Sequence, residues 1–380
     1  MPMRQQQSLK RRAADLLALA GIRLGDGPPC DLCVHDERLY ARVFAHGSLG
    51  LGEAYMDGWW DSDDLPGLFT RLLRAQIDDE LRTLDTLIAH LKARFINLQR
   101  GEHAYEIGRA HYDLGNDLFQ AMLGERLVYS CGYWAGAENL DDAQVAKLDL
   151  ICRKLRLRPG QRVLDIGCGW GEALKYAAQN YGVEGVGITV SQEQAAYAQA
   201  LCAGLPVQIR LQDYHELDEP FDAIMSIGMF EHVGALNYRS YFETARRCLR
   251  DDGPDGGGLF LLHCIGSNGA PSRPDPWIER YIFPNSMIPA MSQTAAALEG
   301  LFVVEDWHNF GADYDRTLTA WRANFDAAWP ALAHHYDERF RRMWHYYLSV
   351  SAAVFRSRRD QLWQLTLSPR GVPGGCRVPR

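Results

Sequence analysis

The chain has 380 residues, enough to bury one large core or two smaller ones. At 47% hydrophobic and 23% charged it has a globular composition, and its net charge of −8 excludes the basic footprint of general nucleic-acid binding. Nine cysteines, an odd and scattered set, make no disulfide framework and fit a reducing cytoplasm. Cys30 and Cys33 form one CxxC with no second pair. Zinc needs about four ligands, so the spacing reads as chance and no metal is expected. No apolar run approaches the roughly 18 residues of a membrane span.

In chain order, Lys10, Arg11 and Arg12 followed by LLALAG look briefly like a signal peptide. Asp15 interrupts the apolar stretch, and Leu9, Ala13, Leu16, Leu17 and Ala20 share one face at helical spacing, so a helix is expected. The glycine- and aromatic-rich SLGLGEAYMDGWWDSDD reads as loops and short helices. LRTLDTLIAHLKARFINLQR (81–100) predicts an amphipathic helix. Residues 1–100 therefore read as a small, mainly helical domain, 101–125 as a connector with a short helix, and 126–380 as a larger domain. Helices are expected at 142–157, 172–181, 191–203, 315–328 and 334–359. Strands are expected at VLDI, EGVGITV, VQIRLQ, FDAIMSI and GGLFLLHCI, with a last one near 361–367. This alternation predicts an α/β fold with a Rossmann-like, doubly wound parallel sheet.

The first of these strands runs into Asp165-Ile166-Gly167-Cys168-Gly169-Trp170-Gly171. Glycines at a strand-to-helix turn let the backbone approach a ligand closely. The spacing is G-x-G-x-G rather than G-x-G-x-x-G, and Asp165 would repel a pyrophosphate while tolerating an ammonium or sulfonium. The string VLDIGCGWG resembles motif I of class I S-adenosylmethionine methyltransferases, which implies that Asp165, Gly167, Gly169 and Gly171 surround that cofactor. The next strand ends without an acid, and Thr189 and Gln194 offer neutral hydrogen bonds there. Asp213 could accept from an adenine amine and Tyr214 could stack on the ring; solvated loop residues are the alternative.

Five further strings lie outside that motif: HYDLGNDLF (111–119), YSCGYW (129–134), GMFEHVG (228–234), DPWIERYIFPN (275–285) and EDWHNFGADYDRTL (305–318). Together they resemble cyclopropane-fatty-acyl-phospholipid synthases and the similar mycolic acid cyclopropane synthases, from about residue 48 to the C-terminal QLWQLTLSPRGV. The resemblance implies transfer of a methylene from S-adenosylmethionine to the cis double bond of an unsaturated acyl chain in a membrane phospholipid. The double bond takes the methyl, a carbocation forms on the chain, and bound bicarbonate acts as the base. It places the bicarbonate pocket at Cys131, Glu231, His263, Ile265 and Tyr314. Cofactor contacts fall at Tyr129, Ser130, Gly167, Thr189, Gln194, Asp213 and Tyr214.

Taken singly, the same residues have ordinary structural readings: an acid at a helix start for Glu231, a core histidine for His263, a small buried hydrophobe for Cys131. Tyr314, Tyr129, Tyr133 and Trp134 would face the cation. Ser351 stands where many relatives carry a cysteine, and the implied mechanism needs no nucleophile there. The resemblance also implies a cytoplasmic homodimer bound peripherally to the inner membrane surface. Two basic helices are candidates for docking: one with Arg4, Lys10, Arg11 and Arg12, and one with Arg339, Arg341, Arg342, Arg356, Arg358 and Arg359. The alternative on the same fold is a small-molecule N-methyltransferase.

Overall fold

A computed structural model describes residues 3–76, 116–252, 257–270 and 275–380. The chain opens with α1 (Met3–Leu19), β1 (Leu24–Gly25), β2 (Leu32–Val34), α2 (Arg38–Met56), β3 (Trp60–Asp61) and α3 (Leu65–Arg74). The expected helix at 81–100 lies outside the described residues. Then come α4 (Asn116–Leu123), α5 (Leu140–Lys154), β4 (Arg162–Ile166), α6 (Glu172–Tyr181), β5 (Glu184–Thr189), α7 (Gln192–Leu201) and β6 (Val207–Leu211). A 3-10 turn (Tyr214–Glu216) leads to β7 (Ala223–Ile227), and then follow a second 3-10 turn (Phe230–His232), α8 (Tyr238–Cys248), β8 (Leu259–Ser267), α9 (Pro276–Tyr281) and α10 (Met291–Leu298). The chain ends with β9 (Val303–Asn309), α11 (Ala312–Leu332), α12 (Glu338–Arg356) and β10 (Asp360–Ser368).

Two compact units result, and neither is one segment of chain. The first joins residues 1–96, 273–284 and 318–360; the second joins 97–272, 285–317 and 361–380. The sequence reading drew its boundaries along the chain, at 100 and 125, and left the late helices with the catalytic part.

In the first unit β1, β2 and β3 make a small sheet. The stretch expected as loops and short helices is, from Ser48 to Met56, one helical continuation of α2 beyond a kink at Gly47 (φ 55°, ψ −132°). Its glycines serve close packing: a Cβ on Gly52 would lie 2.4 Å from the Trp277 ring. Tyr55, Trp60, Phe69 and Trp277 all pack tilted or edge-on against Tyr346 of α12. Cys30 and Cys33 also depart from expectation. They are joined as a disulfide, Cα atoms 5.5 Å apart, because the turn between β1 and β2 brings them together.

Two arginines of α12, Arg339 and Arg342, tie it to the rest of this unit. Arg339 pairs with Asp57 and Arg341 with Glu338. Arg342 donates to the carbonyls of Tyr55 and Trp60 and to Asp61 Oδ1 at 2.6 Å, with its guanidinium 4.1 Å above the Tyr55 ring. A planar fork makes all of these contacts at once, and an ammonium cannot. Arg342→Lys should therefore destabilise the protein by roughly 1–3 kcal/mol, read as a lowered urea midpoint.

The second unit is built on a seven-stranded sheet in the order β6-β5-β4-β7-β8-β10-β9. Strands β6, β5, β4, β7 and β8 are parallel, and β10 runs antiparallel to β9 at the edge. Side-chain alternation divides the core into two layers. Leu164, Ile166, Ile224, Phe260 and Leu262 pack with α8 and α10, whereas Val163, Ala223, Met225, Leu259 and Leu261 pack with α5, α6 and α7. Helices on both faces explain why these strands read as unbroken apolar runs. Strand order reverses between β4 and β7, and ligands in such sheets bind at the carboxyl ends of the strands there.

Candidate active site

A cavity opens at that switch point, walled by the ends of β4, β5 and β7, the 127–130 segment and α5. Nine of the sequence-predicted cofactor residues line it: Tyr129, Ser130, Asp165, Gly167, Gly169, Thr189, Gln194, Asp213 and Tyr214. Gly171 does not. It turns the chain into α6 with φ +90° and packs against α7, where a Cβ would meet Ala198 at 2.9 Å. Gly169 faces open space, and a Cβ on Gly167 would strike Met229 at 2.6 Å.

Asp165 is buried, and its Oδ1 has no hydrogen-bond partner. Burial pushes this carboxyl up to about 7, with Lys147 opposing. An orphaned acceptor in the wall of the cavity fits the cationic amino-acid end of S-adenosylmethionine. Thr189 donates to Gln194 Oε1 at 3.1 Å, which holds that amide at the end of β5. Asp213 caps the 3-10 turn 214–216 by accepting from the His215 amide at 2.9 Å.

The remaining predicted residues lie outside the lining of this cavity. Glu231 Oε1 accepts from the Ile265 amide at 2.7 Å, linking the turn after β7 to the end of β8. Its Oε2 is buried without a partner, and burial pushes the carboxyl up to about 7. His263, two residues before Ile265, is 1% exposed. Gln364 Nε2 sits 3.2 Å from its Nδ1. With the amide donating, the ring proton is on Nε2, which is buried and unpartnered. Burial, with Lys147 and Lys154 nearby, holds this imidazole well below its ordinary value, so it is neutral.

Cys131 is fully buried 3.9 Å from Thr317 Oγ1, and burial raises its thiol well above the usual range. Tyr314 lies one helical turn before Thr317 on α11, and it too is buried. Trp134 departs from the expectation that it faces a substrate cation. Arg316 already covers its ring at 4.3 Å, and its Nε1 donates to Thr317. Tyr133 instead stacks edge-on with Phe310, which neighbours His263. Ser351 is in α12 of the first unit, and among the described residues no cluster could hold a metal ion.

This strand order, with an acid-led glycine turn at its switch point, defines a class I S-adenosylmethionine-dependent methyltransferase. A family profile described as mycolic acid cyclopropane synthetase matches residues 99–365. The chain is 52% identical over 373 residues to the cyclopropane-fatty-acyl-phospholipid synthase of Escherichia coli K12, covering 97% of this chain and 96% of that one. Among solved structures, the cyclopropane synthase MmaA2 from Mycobacterium tuberculosis superposes with a TM-score of 0.63 at 31% identity, over 70% of this chain and 98% of that one. Mycolic acid cyclopropane synthase CmaA1, complexed with SAH and CTAB, gives 0.63 at 33% identity over the same shares. The chain belongs to the mycolic acid cyclopropane synthetase family.

Lys147 had no signal in the sequence, where AQVAKL reads as an ordinary helix with a solvated lysine. It is fully buried in the cavity wall.

Two outcomes follow from this geometry. Gly167→Val adds a clash with Met229 to backbone strain at φ +84°. It should lower S-adenosylhomocysteine affinity at least about tenfold, measured by calorimetry on folded protein. For Glu231 the carboxyl ordinarily titrates at 4.5 and in the fold at about 7. The unfolded chain loses this proton first, so stability falls by about 1.4 kcal/mol per pH unit as pH rises through that window. Glu231→Gln lacks the penalty. Its stability relative to the wild type should rise between pH 5 and pH 8 by up to about 3 kcal/mol, measured by urea unfolding at both.

Proposed function

We propose that this protein is a cyclopropane-fatty-acyl-phospholipid synthase that uses bound bicarbonate as its base. The observations that carry this reading are two buried, unsatisfied groups: an acceptor at Glu231 Oε2, whose carboxyl is tied to the Ile265 amide, and a donor at His263 Nε2–H two residues earlier on β8. Leaving either unpaired costs about 1–3 kcal/mol. A small anion with one O–H and two acceptor oxygens satisfies both. Its hydroxyl would donate to the Glu231 carboxylate, and an oxygen would accept from the His263 imidazole.

S-Adenosylmethionine supplies an electrophilic methyl carbon, and bicarbonate, when bound, supplies the proton acceptor. The protein does the rest. Glu231, fixed by the Ile265 amide, holds the hydroxyl end of the anion, and neutral His263, fixed by Gln364, holds an oxygen. Cys131 and Tyr314 close the pocket in the role that the family motifs give them. Tyr129 and Phe119 rings, 5.4 Å apart, present an aromatic wall beside Trp170. Such a wall excludes water and attracts a developing carbocation. An alkene is a poor nucleophile, so positioning it against the methyl supplies much of the rate, about 7–11 kcal/mol in favourable cases.

The substrate of this reading sits in a bilayer, yet among the described residues no helix is long and apolar enough to cross one. Docking at the cytoplasmic surface of the membrane is therefore part of the proposal, and α1 is the better candidate for it. Arg4, Arg11, Arg12 and Leu19 are exposed there, whereas Arg339, Arg341 and Arg342 of α12 are engaged by carboxylates.

The decisive experiment is mass spectrometry of fatty acids after incubation with phospholipid vesicles and S-adenosylmethionine in carbonate-depleted buffer. Added bicarbonate should stimulate a gain of one CH2 with loss of the olefinic signal. Glu231→Gln should reduce the rate about ten- to a hundredfold while cofactor binding survives. Full activity without carbonate, together with a dead Glu231→Gln, would make Glu231 itself the base. Methylation of an amine, with the double bond intact, would point to the N-methyltransferase alternative.

A further inference from the structure

Lys147 is fully buried, and its Nζ donates to a neutral group, Ser130 Oγ, at 3.0 Å. Three N–H donors and a full charge out of water call for an anion. The neighbouring Glu172 already pairs with Arg126 and Lys175. Asp165 faces the same cavity with its Oδ1 unpartnered, and the two groups make no ion pair at 4.0 Å or less among the described residues. The cavity wall thus carries one basic and one acidic side chain that do not pair with each other, and Asp165 keeps an unmet hydrogen bond. A zwitterion complements that pattern, and an α-amino acid is the smallest one.

A purely structural role for Lys147 would be to tie α5 to the 128–130 segment. Gln144, one turn earlier and also buried, already does this by donating to the Ser130 and Val128 carbonyls at 2.9 and 3.4 Å. The lysine adds a charge and fixes the Ser130 hydroxyl. Because Nζ donates to Oγ, the hydroxyl proton is left free to point into the cavity.

We propose that Lys147, acting through Ser130, is the positioning residue that seats the α-carboxylate at the amino-acid end of the cofactor, with Asp165 facing the ammonium. The proposal rests on reading this cavity as the S-adenosylmethionine site. Burial holds Lys147 down to about 7, and the nearby Cys131, Asp165 and Glu172 oppose that shift. An incoming carboxylate would oppose it further and keep the lysine charged.

The test compares two ligands by calorimetry on the full chain: S-adenosylhomocysteine and its decarboxylated analogue, which keeps the amine. The wild type should prefer the carboxylate form by roughly ten- to a hundredfold. Lys147→Met should lose most of that preference, with affinity for the decarboxylated ligand within about twofold of the wild type. Ser130→Ala should shift the preference in the same direction, and the double variant should be no worse than Lys147→Met alone. Ser130→Ala carries the test if Lys147→Met does not fold. Equal loss of both ligands in the variants, or an unchanged preference, would overturn the proposal and leave Lys147 a structural residue. A wild type that binds neither ligand would overturn the cavity assignment, and the carboxylate seat with it.

Discussion

At the carboxyl edge of the parallel strands the protein holds four ionisable side chains with almost no access to water: Asp165, Lys147, Glu231 and His263. Each keeps an atom or a charge that the fold leaves unanswered. Groups held in this way raise the free energy of the empty protein, and folding alone gives no reason for the arrangement. The strands can carry it because their apolar residues pack on both faces, the burial that a doubly wound sheet requires. The same apolar packing keeps water from the edge, and the low polarity makes a few hydrogen bonds decisive there.

Different strand ends carry the cavity and the buried Glu231 and His263 groups. The ends of β4 and β5, with α5 behind them, wall the cavity. The turn after β7 and the end of β8 carry the Glu231 and His263 pair. Alternation on β8 sends His263 toward the layer of Leu259 and Leu261, where α5 brings Lys147 and Lys154 close enough to favour the neutral imidazole. One helix therefore influences both places. Its lysines shape the charge in the cavity and the protonation of the histidine.

Much of this was legible in the sequence because the cofactor motif is contiguous and its strand is buried on both sides. Asp165 to Gly169 could be read directly, and the strands at VLDI, EGVGITV and VQIRLQ lie within a residue or so of their expected positions. The edge strand β9 escaped notice. Its Glu305, Asp306, His308 and Asn309 give a polar, partly exposed pattern without alternation. The second half of α2, rich in glycine at Gly50 and Gly52, read as loops and short helices rather than as one continued helix. Those glycines allow close approach instead: a Cβ on Gly50 would meet the Arg42 carbonyl at 2.4 Å. Lys147 was invisible for another reason. A lysine on a helix is solvated by default, and only the fold reveals that this one points inward.

The first unit closes on residues from opposite ends of the chain, and this has a consequence for synthesis. Asp61 and its partner Arg342 are 281 positions apart, and Tyr346 completes the ring cluster of Tyr55, Trp60 and Phe69. At about 5–20 residues per second, a ribosome needs roughly a quarter of a minute to a minute to span that gap. Throughout that interval Trp60, Phe69 and the cationless end of α2 wait without their cover. The nascent chain thus emerges with aromatic surface that only its last helices can shield, which makes its early segment a natural client for chaperones.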